Sequence, residues 1–238
     1  MKKGTYVAQI LIAAAFMQMS CSGESKTSTP DAFIDSSVVV DIGFDLGVQE
    51  DGEIYDSFID ERVVCGEPGE MTSWTDIESL RGCEVFLGSI SIVDYTGDGE
   101  DLSAASSLQE VNNLSLFRGS IDSLSAFSNL KRINGFFSIR FNNSISNFEG
   151  LDSLEYVEGV FEVEGNSALT SMKGLSSIES SGGLTIEFNS ALESINEMTS
   201  YNTVRGDLII AARPSLPQPQ VDQFVDRVHI EGDIDISP

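Results

Sequence analysis

Apolar positions in this chain alternate in short bursts, and the bursts recur. From Gly88 onward a glycine or asparagine is followed by two apolar residues one position apart. The copies are Gly88-Ser-Ile90-Ser-Ile92, Asn112-Asn-Leu114-Ser-Leu116, Gly135-Phe-Phe137-Ser-Ile139, Gly159-Val-Phe161-Glu-Val163, Gly182-Gly-Leu184-Thr-Ile186, Gly206-Asp-Leu208-Ile-Ile210 and Gly232-Asp-Ile234-Asp-Ile236. A period of two puts both apolar side chains on one face of a short strand and the residue between them on the other. The copies stand about 23–24 residues apart, a period at which repeats stack on one another.

Between copies the pattern changes to one apolar residue in three. After Ile139 come Ile145, Phe148, Leu151, Leu154 and Val157; after Val163 come Leu169, Met172, Leu175 and Ile178; after Ile186 come Leu192, Ile195, Met198, Tyr201 and Val204. Neither a long helix nor a long strand has this spacing. A chain that turns corners and drops one side chain inward at each corner does. One such coil leaves both flat faces open, so its core closes only when coils stack. Three copies carry an asparagine three positions after the second apolar residue: Asn142, Asn166 and Asn189. Stacked in a column, their amides would satisfy turn backbone that is otherwise buried without partners; the alternative is ordinary exposed turn asparagine.

Stacked coils need caps. Upstream, Trp74, Ile77 and Leu80 fall at helical spacing, with Ser73 and Asp76, or Thr75 and Glu78, as an N-cap pattern. Downstream, Pro217 and Pro219 precede Val221, Phe224, Val225 and Val228, which share a helical face. Short capping helices are expected at both ends, with a closing strand at Ile234–Ile236.

The first twenty residues follow another logic. Lys2 and Lys3 precede the apolar run Val7–Phe16, which is the pattern of an export signal. It ends at Met19-Ser20-Cys21, and that cysteine, followed by Ser22 and Gly23, resembles the lipobox of bacterial lipoproteins, although Gln18 stands where leucine is usual. The resemblance implies lipidation of Cys21 and an address at the outer membrane or cell surface; the alternative is cleavage without lipidation. Acyl chains contribute about 0.8 kcal/mol per buried CH₂, so several would anchor durably. Setting Cys21 aside leaves Cys65 and Cys83, most simply a disulfide in an exported chain. A zinc site lacks partners, since His229 is the single histidine.

The expected organisation is a signal peptide over 1–20, an acidic disordered tether over 21–62 and one repeat domain over 63–238. The tether composition is acidic and polar, with Asp41, Asp45, Glu50, Asp51, Glu53, Asp56, Asp60 and Glu61. The net charge of −25 repels phosphate backbones and excludes nucleic acid as a partner. It favours cations or basic partners, or serves solubility alone.

Cys65-Gly66, the cap segment, Leu80-Arg-Gly-Cys83-Glu-Val-Phe-Leu-Gly88-Ser-Ile-Ser-Ile92 and the recurring glycine and asparagine positions together resemble the receptor L domain of insulin- and epidermal-growth-factor-receptor ectodomains. The resemblance spans about residues 63–238. It implies a mainly β, right-handed solenoid of leucine-rich-repeat type with about six to seven coils. It also implies ligand binding and no catalysis. Two departures stand out: Arg213 replaces an asparagine of the column, and no cysteine lies near Pro219.

Candidate ligand contacts lie on the outward strand positions and their flanks. Phe117, Phe136 and Val160 are apolar, and Arg140, Glu162, Glu164 and Glu187 are charged; apolar groups beside charge mark interfaces. Their expected partner is a protein or glycan, with no cofactor and no catalytic residue. Asp94 and Asp98 resemble part of a calcium loop, short in oxygen ligands because Thr96 and Ala105 fill other ligand places. Two other functions compete: a spacer without a ligand, and a polysaccharide-active parallel β-helix using Arg140 with Glu162 and Glu164.

Overall fold

The computed structural model describes residues 62–97 and 100–238. The expected signal peptide, Cys21, all but the last residue of the acidic tether, and Asp98 lie outside the described residues.

Among the described residues the chain is mainly β, with one sheet of twelve strands and few helices. The strands are β1 (Val64–Cys65), β2 (Met71–Ser73), β3 (Val85–Val93), β4 (Glu110–Phe117), β5 (Arg132–Ile133), β6 (Phe137–Arg140), β7 (Tyr156–Glu164), β8 (Ser180–Glu187), β9 (Thr203–Val204), β10 (Leu208–Ala211), β11 (His229–Ile230) and β12 (Ile234–Ile236). All pair in parallel, and each long strand lies beside its nearest counterparts in sequence. Positions 90, 114, 137, 161, 184, 208 and 234 share one register row, so the sequence repeat is also the strand repeat.

The alternating residues of the first six copies, from Ile90 to Ile210, are each at most 1 % exposed. So are the residues at three-residue spacing between copies, such as Phe148, Leu169 and Leu192. Phe137 stacks on Phe161 at 4.9 Å, and Phe148 meets Phe161 edge-on at 6.1 Å. The seventh copy departs from the pattern. Ile234 is 51 % exposed, because β12 ends the strand order and no further strand covers it among the described residues.

The register slips between Val157 and Val160 of β7 and between Phe86 and Ser89 of β3. Glycines sit at this bend, where backbones come close. A Cβ on Gly182 would lie 2.3 Å from the Glu158 carbonyl oxygen, and one on Gly159 would lie 2.7 Å from the Gly135 carbonyl. The glycine that opens six of the seven phrases is therefore a packing requirement of the bend.

The two caps are built differently from each other. Trp74–Leu80 is a 3₁₀ helix, in which residues three apart align. That suits Ile77 and Leu80, which are buried, and Trp74, which packs edge-on against Tyr95 at 5.6 Å. The expected N-cap does not form: the Ser73 hydroxyl donates to the Asp76 carboxylate at 2.9 Å, and Ser73 makes no side-chain bond to the helix backbone. Cys65 and Cys83 stand at disulfide distance, with Cα atoms 5.8 Å apart, and tie β1 to the segment after this helix. At the other end α1 (Gln218–Arg227) buries Val221 and Phe224. Its Arg227 donates to the carbonyls of Tyr201 and Met198. No helix among the described residues is long and apolar enough to cross a membrane.

Candidate functional site

The residue that leaves each long strand is the key to the sheet's outward face. Asp94, Arg118, Phe141, Gly165, Phe188 and Ala212 occupy equivalent corners, and all six have positive φ, between 47° and 67°. This left-handed residue turns the chain inward. The next residue is then delivered to the interior, where Asn142, Asn166 and Asn189 are buried.

The asparagines form a continuous column. Asn142 Oδ1 accepts the Gly119 N–H at 2.9 Å, and its Nδ2 donates to the carbonyls of Leu116 and Arg140. Asn166 Oδ1 accepts the Asn142 N–H at 2.9 Å, and Asn189 Oδ1 accepts the Asn166 N–H at 2.9 Å. Asn166 Nδ2 donates to Ile139 and Asn189 Nδ2 to Val163, each to a strand carbonyl. Arg213 holds the next place and is buried there. Its guanidinium donates to the Leu216 carbonyl at 3.1 Å and to the Gln218 side chain, so the column ends by tying the corner to the start of α1.

On the outward face Ser91, Ser115, Ser138, Glu162, Thr185 and Ile209 share one register row. Phe117, Arg140, Glu164 and Glu187 form the row beside it, next to the left-handed corners. The structure thus brings five of the seven candidate contacts together: Phe117, Arg140, Glu162, Glu164 and Glu187. Phe136 and Val160 are exposed on the opposite flank, at the glycine bend.

Phe117 is less open than an outward position implies. Arg118 and Arg140 lie over its ring at 4.8 and 5.3 Å, and Phe141 meets it edge-on at 5.8 Å. Ser138, expected to face solvent, is buried; its hydroxyl donates to Glu162 at 2.8 Å, and Arg140 Nε lies 3.5 Å from the same carboxylate. Glu162 is therefore held on two sides. Glu164 and Glu187 are neighbours in register, and their carboxylates make no hydrogen bond or ion pair among the described residues. Partial burial, and then the carboxylates of Glu164, Asp235 and Glu162, push the Glu187 carboxyl above its ordinary value.

Asp94 is not arranged as a cation ligand. It is one of the left-handed corners, and its carboxylate pairs with Arg118 at 2.9 Å. Among the described residues no group of three or more histidine, cysteine or carboxylate side chains is placed to hold a metal ion.

Sequence reasoning missed Phe141 and Phe188, which are 40 % and 58 % exposed. They fall out of phase with every inward position and stand directly before Asn142 and Asn189. That offset was the available signal. A second outward patch was missed as well, around β5 and the start of β7: Glu158 pairs with both Arg132 and Arg205, Arg132 lies over Tyr156 at 4.5 Å, and the Tyr156 hydroxyl donates to Glu179 at 2.7 Å. Those groups satisfy one another.

Comparison with protein-family models and with curated proteins finds no match to this chain.

Proposed function

We propose that this protein is a lipid-anchored envelope protein whose repeat domain is a right-handed solenoid of the leucine-rich-repeat, receptor-L type. Its outward strand face binds a protein or glycan without catalysis. Support for the solenoid comes from parallel strands laid down in chain order at a near-constant step, with an inward asparagine at three successive corners. A lipid on Cys21 and an acidic tether would hold that face at a distance from the outer membrane.

The observation that carries the binding function is the chemistry of the outward face. The rings of Phe141 and Phe188 stand in solvent, and the nearby Glu164 and Glu187 carboxylates form no ion pair among the described residues. Folding alone gains nothing from either, whereas an interface uses both. The enzymatic alternative fares worse there, since Ser138 and Arg140 already engage Glu162.

The test is a pull-down from envelope extract, and a parallel glycan array, with the purified full-length protein and its Phe117→Ser/Phe136→Ser variant. A partner or glycan retained by the wild type and lost in the variant supports the binding function. No retention on either platform favours a spacer.

A further inference from the structure

Phe141 and Phe188 meet two unfavourable conditions at once. Positive φ is a true outlier for a bulky side chain, whose Cβ crowds the following carbonyl oxygen. Both sit at 56°, while Gly165, at the equivalent corner between them, adopts the same conformation without that strain. Both also expose an aromatic ring to water. Phe141 recovers part of this by packing on Phe117 and covering Gly165, where a Cβ would lie 2.5 Å from the ring. Phe188 is the more exposed. The corner conformation belongs to the fold, since Asp94, Arg118 and Ala212 share it; what the fold does not require is an exposed phenylalanine at that corner, and such a position is characteristic of binding sites.

The charge around these rings selects the occupant. Two cations stand near Phe141, but Arg118 and Arg140 lie over the Phe117 ring and pair with Asp94 and Glu162; the Glu164 and Glu187 carboxylates form no ion pair among the described residues, and Asp235 adds a third carboxylate near Glu187. The chain's own N-terminal segment is a poor fit, because residues 22–61 carry many carboxylates and a single cation, Lys26. A second copy would bring the same acidic face, in a chain of net charge −25. A cationic segment satisfies both features, since carboxylates and aromatic faces each attract ammonium and guanidinium groups.

We propose that Phe141 and Phe188, with Glu164 and Glu187, seat a lysine- or arginine-bearing polypeptide segment that also carries apolar side chains. This inference rests on the binding function proposed for the sheet face and names its ligand class. Phe141 and Phe188 lie two strands apart, about 10 Å at the usual strand spacing. An extended segment covers that span in about three residues.

The probe is a capped, fluorescent nonapeptide of three Lys-Leu-Gly units, compared with Gln-Leu-Gly and Lys-Ser-Gly versions, at physiological salt, by anisotropy with the full-length protein. The Lys-Leu-Gly peptide should bind tightest. Phe141→Asn/Phe188→Asn and Glu164→Gln/Glu187→Gln should each weaken it about tenfold. Glu193→Gln/Asp226→Asn removes the same charge from the return segment and α1, and should change nothing. Asparagine tolerates the left-handed corner, so the phenylalanine variant should melt no lower than wild type. The proposal is overturned if the three peptides bind alike, or if the Glu193/Asp226 variant loses as much as the Glu164/Glu187 variant. A neutral oligosaccharide bound through the same phenylalanines, without the peptide, overturns the cationic ligand and leaves the binding face standing. Binding of neither probe, with no partner in the pull-down, removes both.

Discussion

Asn166 and Asn142 are joined across neighbouring strands: the Asn166 Oδ1 accepts the Asn142 backbone N–H at 2.9 Å, in a place from which water is excluded. The same Asn166 side chain donates to the Ile139 carbonyl at 3.0 Å. One amide therefore satisfies both the strand end and the turn of the preceding repeat. Asn166→Ala would leave a buried donor and acceptor unpaired and should cost about 1–3 kcal/mol. Denaturant titration gives the number; an unchanged midpoint would show that the column is not structural.

The glycine bend makes a second prediction. Gly182→Ala places a methyl carbon 2.3 Å from the Glu158 carbonyl oxygen, a backbone atom that cannot swing aside. The loss should be about 1–3 kcal/mol, as for other over-packed sites. Thermal melting of Gly182→Ala beside Gly183→Ala, where the nearest atom would lie 3.4 Å from the added methyl, separates crowding from a general intolerance of substitution.

Glu187 predicts a pH dependence. Its carboxyl is raised above the ordinary 4.5 by burial and by Glu164, Asp235 and Glu162. The folded state thus holds the proton more tightly than the unfolded one. The associated stability is fully present below the unfolded value and is lost as pH rises through the raised folded value. Glu187→Gln removes that loss. The variant should be more stable than wild type at pH 7, and the gain should shrink as pH falls below about 4. A gain that is the same at pH 3.5 and pH 7 would assign the effect to packing.

The proposed anchor is tested in cells. Metabolic labelling with a fatty-acid precursor should mark the wild type and fail to mark Cys21→Ala. Equal labelling of both would place the lipid elsewhere, and no labelling of either would leave an exported chain without one.

Much of the candidate site was legible in advance because it follows from strand periodicity. Residues flanking two inward positions must point outward, which placed Arg140, Glu162, Glu164 and Glu187 on one face. The corner phenylalanines were not legible in that way. Positive φ is a property of a turn, and nothing in the residue type of Phe141 or Phe188 announces it; glycine, aspartate, arginine and alanine hold the same corner elsewhere.

The sequence by itself determined the strand phrase, the inward residues between phrases, the asparagine column and the cysteine pair, because each depends on local spacing that recurs. Tertiary structure decided what covers what. Ser138 points outward yet is buried, because Glu162 and Arg140 of adjoining positions close over it. Ile234 repeats the phrase yet stays exposed, because among the described residues no strand pairs beyond β12 in the sheet. Burial belongs to neighbours in space, and a period read along the chain carries no information about where the stack of neighbours ends.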